Sequence, residues 1–440
     1  MQTQNEKLSL INGRIHTLSS IASSITFEHG RIVSINDEAA GINSKVIDLH
    51  GRTVLPAFCD TGLDFLAWAE NQERLSLAGV TSEKAFSGAL KAYTQANTKP
   101  LRGWYIAHGL SGNVHITRDD IDAVIPSTPC AVIDADNTHA ILNTPAMSAF
   151  NMPQDSTEFE GFIEHLPPLS KDDVMYLVRV YSAKINALGL SEVWTNFYAD
   201  NARMWDIFAG EAYDSLSFRV RANFGFDNLI SMKEFLASGL RTGDGLPMCK
   251  MGGLIVNEAL DQQEQKNIIT SAHISGCQVI TGNDLYTVGI LEQVLRNFRK
   301  YPRHLISSTS FTSKLIDRMR RLGLGGISLP GGEDNELHRA FQNGIVLSAG
   351  SGQAMISPLK GIARLMEQGL SVAEALTVYT WSAAWNGGND MRRGELAPGN
   401  DADIVVLEQD PYLVKPAEIE GIDVTMTFCA GCMVYDSGTI

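Results

Sequence analysis

This chain contains no run of about 18 apolar residues, which excludes a membrane-spanning helix of ordinary length. Its opening residues, Met1-Gln2-Thr3-Gln4-Asn5-Glu6-Lys7, lack the apolar stretch of a signal peptide, so the expected location is the cytoplasm. Basic residues are few: 35 Lys and Arg stand against 50 Asp and Glu, a net charge of −15. Phosphate binding is driven by Lys and Arg displacing counterions, so no nucleic-acid partner is expected. Among the ten histidines there is neither a His-x-His nor a His-x-x-x-His pair. The six cysteines are scattered apart from Cys429 and Cys432. A lone Cys-Ala-Gly-Cys could be half a zinc site or a redox pair. Its position between the apolar runs Thr425–Phe428 and Met433–Tyr435, with Ala-Gly at the centre, favours a hairpin turn. Internal repeats and low-complexity tracts are absent too.

What is present is size and periodicity. The 440 residues, 44 % hydrophobic and 19 % charged, suffice for a barrel of roughly 250 residues plus further units. From the middle onward, short apolar runs alternate with helical stretches. The run Pro247–Met251 is followed by Leu254–Val256, and the helical stretch Gln262–His273 precedes Cys277–Ile280. Helical stretches at Leu285–Lys300, Lys314–Leu322 and Asn335–Gln342 precede His304–Ser307, Gly326–Leu329 and Ile345–Ser348. Short strands separated by single helices predict a parallel sheet. Adding Val54–Phe58, Glu192–Thr195 and Arg219–Ala222 gives eight strands, the number that closes a (β/α)8 TIM-type barrel.

Strands one and two are separated by about 130 residues, well beyond ordinary loop length, so an insertion subdomain over the barrel mouth is expected. The two chain ends, with turns at Asn12-Gly13, His29-Gly30, His50-Gly51 and Ala430-Gly431, are each too short for a core. They are expected to pair into one composite β-sandwich. The predicted division is sandwich 1–53 and 392–440, barrel 54–75 and 171–391, and insertion 76–170.

Several segments resemble the amidohydrolase superfamily, specifically its amidohydrolase family 3 branch. They are Leu10-Ile11-Asn12-Gly13-Arg14-Ile15, the stretch Val46–Asp60, the stretch Gly394–Leu407 followed by Asp410-Pro411, and in the insertion Arg102-Gly103-Trp104 and Asn137–Asn143. The resemblance implies a metal-dependent hydrolase of carbon–nitrogen bonds other than peptide bonds. One or two divalent ions would sit at the C-terminal mouth of the barrel, polarising a carbonyl and activating water. It also implies ligands: His-x-His after strand one, a lysine or acid on strand four, histidines after strands five and six, and an aspartate after strand eight.

Laid on this sequence, those ligand positions read Gly62 and Asp64, Lys250, Thr281, Ser308 and Gly352, so only the lysine matches. Zinc needs three or four N, O or S donors, and hydroxyls are weak ligands. The expectation is therefore no metal cofactor, with zinc as the alternative, and a metal-independent pseudoenzyme. Pocket candidates are Asp64, Lys250, Thr281, Ser308 and Gln353 at the mouth and His139 in the insertion. A Ser–Lys pair of Ser308 with Lys250 is a further candidate. Three functions stay open: binding a small polar molecule or a partner without turnover, hydrolysis of carbon–nitrogen bonds by an altered site, or a structural role in an assembly, a homo-oligomer included.

Overall fold

The computed structural model describes residues 7–36, 44–110, 114–135, 139–153, 159–160, 162–198, 201–297, 303–330 and 336–439. Two compact units are present, Met1–Phe65 with Val178–Ile440, and Leu66–Leu177.

In the first unit, eight parallel strands follow one another in chain order around a barrel. They are Phe58–Asp60, Leu190–Phe197, Arg219–Gly225, Cys249–Ile255, Gln278–Thr281, Leu305–Ser308, Gly325–Ser328 and Leu347–Ala349, hereafter barrel strands one to eight. Strand one is shifted from its expected place. Thr53–Pro56 instead pairs with Leu407–Ile404 in the other sheet, and the barrel strand begins at Phe58. Strand four also differs, running unbroken through Gly252 and Gly253, which the sequence suggests as a break. A Cβ on Gly252 would meet Asn223 Oδ1 at 2.0 Å, and one on Gly253 would meet Ile280 at 2.8 Å. The glycines make room for the Asn223 side chain, which accepts a hydrogen bond from Gly253 N at 2.8 Å. They answer to packing across the sheet, not to a turn.

Both chain ends share one eight-stranded sheet, ordered from Cys432–Asp436 through Val424–Cys429, Ile404–Leu407, Thr53–Pro56, Leu8–His16 and Ile21–Glu28 to Arg31–Ile35, with Lys45–Asp48 also pairing with Leu8–His16 off this path. The sheet curls on itself, so Phe27 and Phe428 from opposite halves pack edge to face at 5.3 Å over a core that includes Leu10, Ile25, Ile404 and Met426. At Ala430-Gly431 both φ angles are positive, +50° and +75°, and Cys429 pairs directly with Cys432. The motif is a hairpin turn whose two cysteines form no disulfide.

At the N-terminal ends of the barrel strands a buried ion network ties barrel to sheet. Arg219 reaches Asp403 at 3.0 Å and Asp401 at 3.5 Å, while Arg393 bonds Asp401 at 2.9 Å and Glu192 at 2.8 Å. Burial works against the Arg219 charge, but Asp403 and Asp401 more than offset it and raise its pKa above the ordinary value. Burial also works against the Asp401 carboxylate, and Arg219 and Arg393 still keep it below the usual range. Deeper inside, Arg221 stacks on Trp194 at 4.6 Å and bonds Gln278 and the Gly387 carbonyl. Burial lowers its pKa to about 10.

On the helical layer, His304 Nδ1 accepts from Val279 N at 2.9 Å, so its proton sits on Nε2 and is given to His273 Nδ1 at 2.8 Å. Burial first, then the neighbouring imidazole, lowers the His304 pKa to about 3. A histidine neutral in the fold but near 6.5 when unfolded leaves stability intact above about pH 6.5. Below that pH, stability falls by about 1.4 kcal/mol per unit. Between pH 6.5 and 5, before most carboxylates titrate, unfolding free energy should drop by about 2 kcal/mol. His304→Gln should flatten that slope, whatever it does to absolute stability; an unchanged slope in urea titrations would assign the effect elsewhere.

The second unit centres on a five-stranded sheet containing Tyr105–Leu110, Cys130–Asp134 and His139–Leu142, with apolar clusters around Phe86 and around Trp104. Within it, Glu70 is buried between Arg102, at 2.8 Å, and Arg74, at 3.2 Å.

Candidate functional site

The C-terminal mouth of the barrel is where a (β/α)8 fold places its chemistry. Strands one and eight do not pair along their length, and the join is made just beyond them. Thr61 N donates to Ala349 O, Gly352 N to Gly62 O and Asp64 N to Gly352 O, each at 2.9 Å. This zipper brings Gly62 against Gly350: a Cβ on Gly350 would lie 2.6 Å from Gly62 Cα, and one on Gly62 would lie 3.2 Å from Gly350 Cα. Asp60, only 1 % exposed, staples the join from below, accepting from Gly62 N at 3.0 Å, Ser351 N at 3.1 Å and Ser351 Oγ. Burial raises its pKa despite those bonds. The sequence reading gave Asp60 no role. Its spacing from Ser351 across the chain leaves no local signal.

The remaining mouth residues are largely occupied with one another. Ser308 Oγ donates to Ser310 O at 2.7 Å and accepts from Ser310 N at 2.9 Å, closing a local turn. Thr281 Oγ1 donates to Glu258 at 3.3 Å. Asn223 Nδ2 donates to Asn196 Oδ1 at 3.0 Å, and Asp284 caps the following helix through Thr287 N at 2.9 Å. A cavity of about 410 Å³ opens between strands two and five, lined among others by Tyr198, Phe226, Asp227, Asn257 and Glu258.

The candidates separate into groups. Gly62, Asp64, Gly352, Thr281 and Ser308 lie at or just past strand ends on the mouth side. Gln353 is exposed in the loop after strand eight. Lys250 is not with them. It is the second residue of strand four, in register with Arg221, whereas Thr281 is level with Val256. Six residues at about 3.3 Å each put it about 20 Å along the strand from Thr281. Its Nζ donates to Gly245 O at 2.9 Å, and burial followed by the Arg393 charge depresses its pKa. The lysine lies toward the ion network, so the candidate Ser308–Lys250 pair is ruled out by distance. Beyond the end of strand four it is Glu258 that reaches the mouth, accepting from Thr281 and lining the cavity there. His139 belongs to the second unit, half exposed with Nδ1 3.4 Å from Asp134. Of the insertion motif, residues 136–138 lie outside the described residues.

The donor chemistry of this mouth does not fit a divalent ion held at the family's positions. Two positions are glycines, one of them packed on backbone, and two are hydroxyls engaged locally. Among the described residues no three His, Cys, Asp or Glu side chains converge as metal ligands.

Comparison with known proteins bears out the class read from the sequence. Residues 314–435 match the family model described as "Amidohydrolase family". The chain is 22 % identical to "Putative amidohydrolase YtcJ" of Bacillus subtilis (strain 168), over 92 % of this chain and 93 % of that one. It is 21 % identical to the "N-substituted formamide deformylase" of Arthrobacter pascens, over 99 % of each. The crystal structure of an uncharacterized metal-dependent hydrolase from Pyrococcus horikoshii OT3 superposes with a TM-score of 0.76 at 17 % identity, covering 93 % of this chain and 99 % of that one. The match to the amidohydrolase family thus spans residues 314–435, and the chain is built as an α/β barrel with an additional sheet domain. No helix among its described residues is long and apolar enough to cross a membrane.

Proposed function

We propose that this chain uses the amidohydrolase fold to hold a small polar molecule at the C-terminal end of its barrel, without metal-dependent hydrolysis. The observation that supports this most is the backbone contact of Gly62 with Gly350. The position that should begin the ligand set is spent on closing the barrel. Asp64, Thr281, Ser308 and Gln353 then form a polar rim, not a coordination sphere.

A second reading, hydrolysis of a carbon–nitrogen bond by an altered site, draws on the names of the two curated relatives. Chelation separates the two. A metal that binds only the folded state stabilises it by RT ln(1 + [L]/Kd), about 2.7 kcal/mol at a hundredfold excess. EDTA or added zinc should leave the melting temperature unchanged. A fall on chelation, reversed by zinc and accompanied by loss of an amidase activity, would establish the second reading instead.

A further inference from the structure

The Cys429-Ala430-Gly431-Cys432 motif forms the tip of the last hairpin, between the strands Val424–Cys429 and Cys432–Asp436. Its two central residues both take positive φ, and Cys429 and Cys432 stand directly opposite each other. Opposed residues of an antiparallel pair have Cα atoms about 4.5–5.5 Å apart and side chains on the same face. A disulfide spans Cα separations of about 4.4–6.8 Å. The register therefore brings two thiols within bonding reach.

That register is held from both sides. Ala430 N donates to Asp403 Oδ1 at 2.6 Å, and Gly431 N donates to Ala402 O at 2.9 Å. A Cβ on Gly431 would meet Gly30 Cα at 2.9 Å, so the turn is also packed against backbone. The two thiols differ in setting. Cys429 is 2 % exposed, and its Sγ donates to Ser191 O, at the start of barrel strand two, at 3.6 Å. Cys432 alone among the six cysteines is not fully buried. Burial first and Asp403 second push the Cys429 thiol up to about 12, and Cys432 is near enough to add to the rise.

A Cys-x-x-Cys pair has two chemical uses, as half of a metal site or as a redox couple. Zinc would need further donors. Among the described residues no third His, Cys, Asp or Glu joins the pair as a ligand. We infer that Cys429 and Cys432 are a reversible redox modification site, closed to an intramolecular disulfide by exchange with a small-molecule disulfide such as oxidised glutathione. The more accessible Cys432 gives up its proton and attacks one glutathione sulfur, and the other leaves as a thiolate that takes up a proton. Cys429 then loses its proton and attacks Cys432 Sγ, releasing the second glutathione as a thiol. Two electrons and two protons pass from the protein to the glutathione disulfide, which becomes two thiols. The new bond removes the S–H that Cys429 offers to Ser191 O, so the change is felt where the sheet meets the barrel. The inference goes beyond the proposed function and does not depend on what the barrel mouth binds.

The test equilibrates the full chain with oxidised and reduced glutathione at a series of ratios, then quenches it in acid, unfolds it and alkylates it for peptide mass spectrometry. As the ratio turns oxidising, the peptide carrying both residues should lose both alkyl groups together and weigh two hydrogens less than the dithiol. Cys59, Cys130, Cys249 and Cys277, all buried, should stay alkylated, and dithiothreitol should restore the pair. Cys429→Ser should stop at a glutathione adduct on Cys432, whereas Cys432→Ser should leave Cys429 unmodified. A pair that stays alkylated at every ratio would overturn the inference. So would glutathione retained on the wild-type pair, or a disulfide formed between chains. The wild-type titration decides the matter even if a serine variant fails to fold.

Discussion

Arg219→Met should cost about 3–5 kcal/mol of unfolding free energy, read as a lowered urea midpoint with an unchanged slope. Arg219 is the first residue of barrel strand three, and its side chain is only 5 % exposed between Asp403 and Asp401. A buried pair can be energetically neutral against an apolar replacement of the whole network, but removing one partner leaves the rest without compensation. Here the remainder is two carboxylates with exposures of 5 % and 9 %. Arg393 still reaches Asp401 at 2.9 Å, but lies 3.8 Å from Asp403. Arg219→Lys should fall between wild type and Met, because an ammonium supplies the charge without the two-pronged contact made through Nε and Nη2 to Asp403. A loss below about 1 kcal/mol for Arg219→Met would mean that the network relaxes or takes in water, as exposed pairs do.

Gly350→Ala should be the most damaging single-methyl change at the mouth. The added Cβ would meet Gly62 Cα at 2.6 Å and Gly62 N at 2.8 Å. Both are backbone atoms inside the hydrogen-bonded join, so no side chain can swing aside. Overpacking of this kind costs about 1–3 kcal/mol, and more where the clash opens a sheet. Gly62→His, which would restore the first ligand of the family pattern, should destabilise for the same reason, with Gly350 Cα at 3.2 Å and Leu329 at 3.3 Å from its Cβ. Gly352 is different: open space surrounds it, and the cost of a side chain there lies in its φ of +65°. If Gly350→Ala melted with wild type, the strand-one to strand-eight join would be looser than described.

These two sites show what the sequence could convey. The alternation of apolar runs and helices was enough for the barrel, because each strand buries its own short apolar run and each helix its own face. The shared sheet followed from two ends too short to bury a core separately, and the Ala430-Gly431 hairpin from its turn chemistry. The misplaced elements have a common cause. Strand one was read to begin four residues early because Val54-Leu55 is as apolar as Phe58-Cys59, and only the pairing of Thr53–Pro56 with Ile404–Leu407 tells them apart. Strand four was cut at Gly252-Gly253 because a glycine pair marks a turn unless a neighbour such as Asn223 needs the room. Lys250 was placed at the mouth because it matches the lysine the family resemblance implies on strand four, and Glu258 was passed over. Asp60 ends a stretch read only for its family resemblance. Its significance lies in burial and in what it faces, which chain order does not encode.

The central claim, that this barrel has no working metal site, is tested most directly by metal content. The full chain would be expressed in medium supplemented with zinc, iron and manganese, purified without chelators, and analysed by mass spectrometry of the elements. Well below one ion per chain is expected, for every divalent metal and at any loading. One tightly held ion per chain, lost on conversion of Asp64 or Glu258 to alanine, would contradict the account and make the mouth a metal centre of a different design.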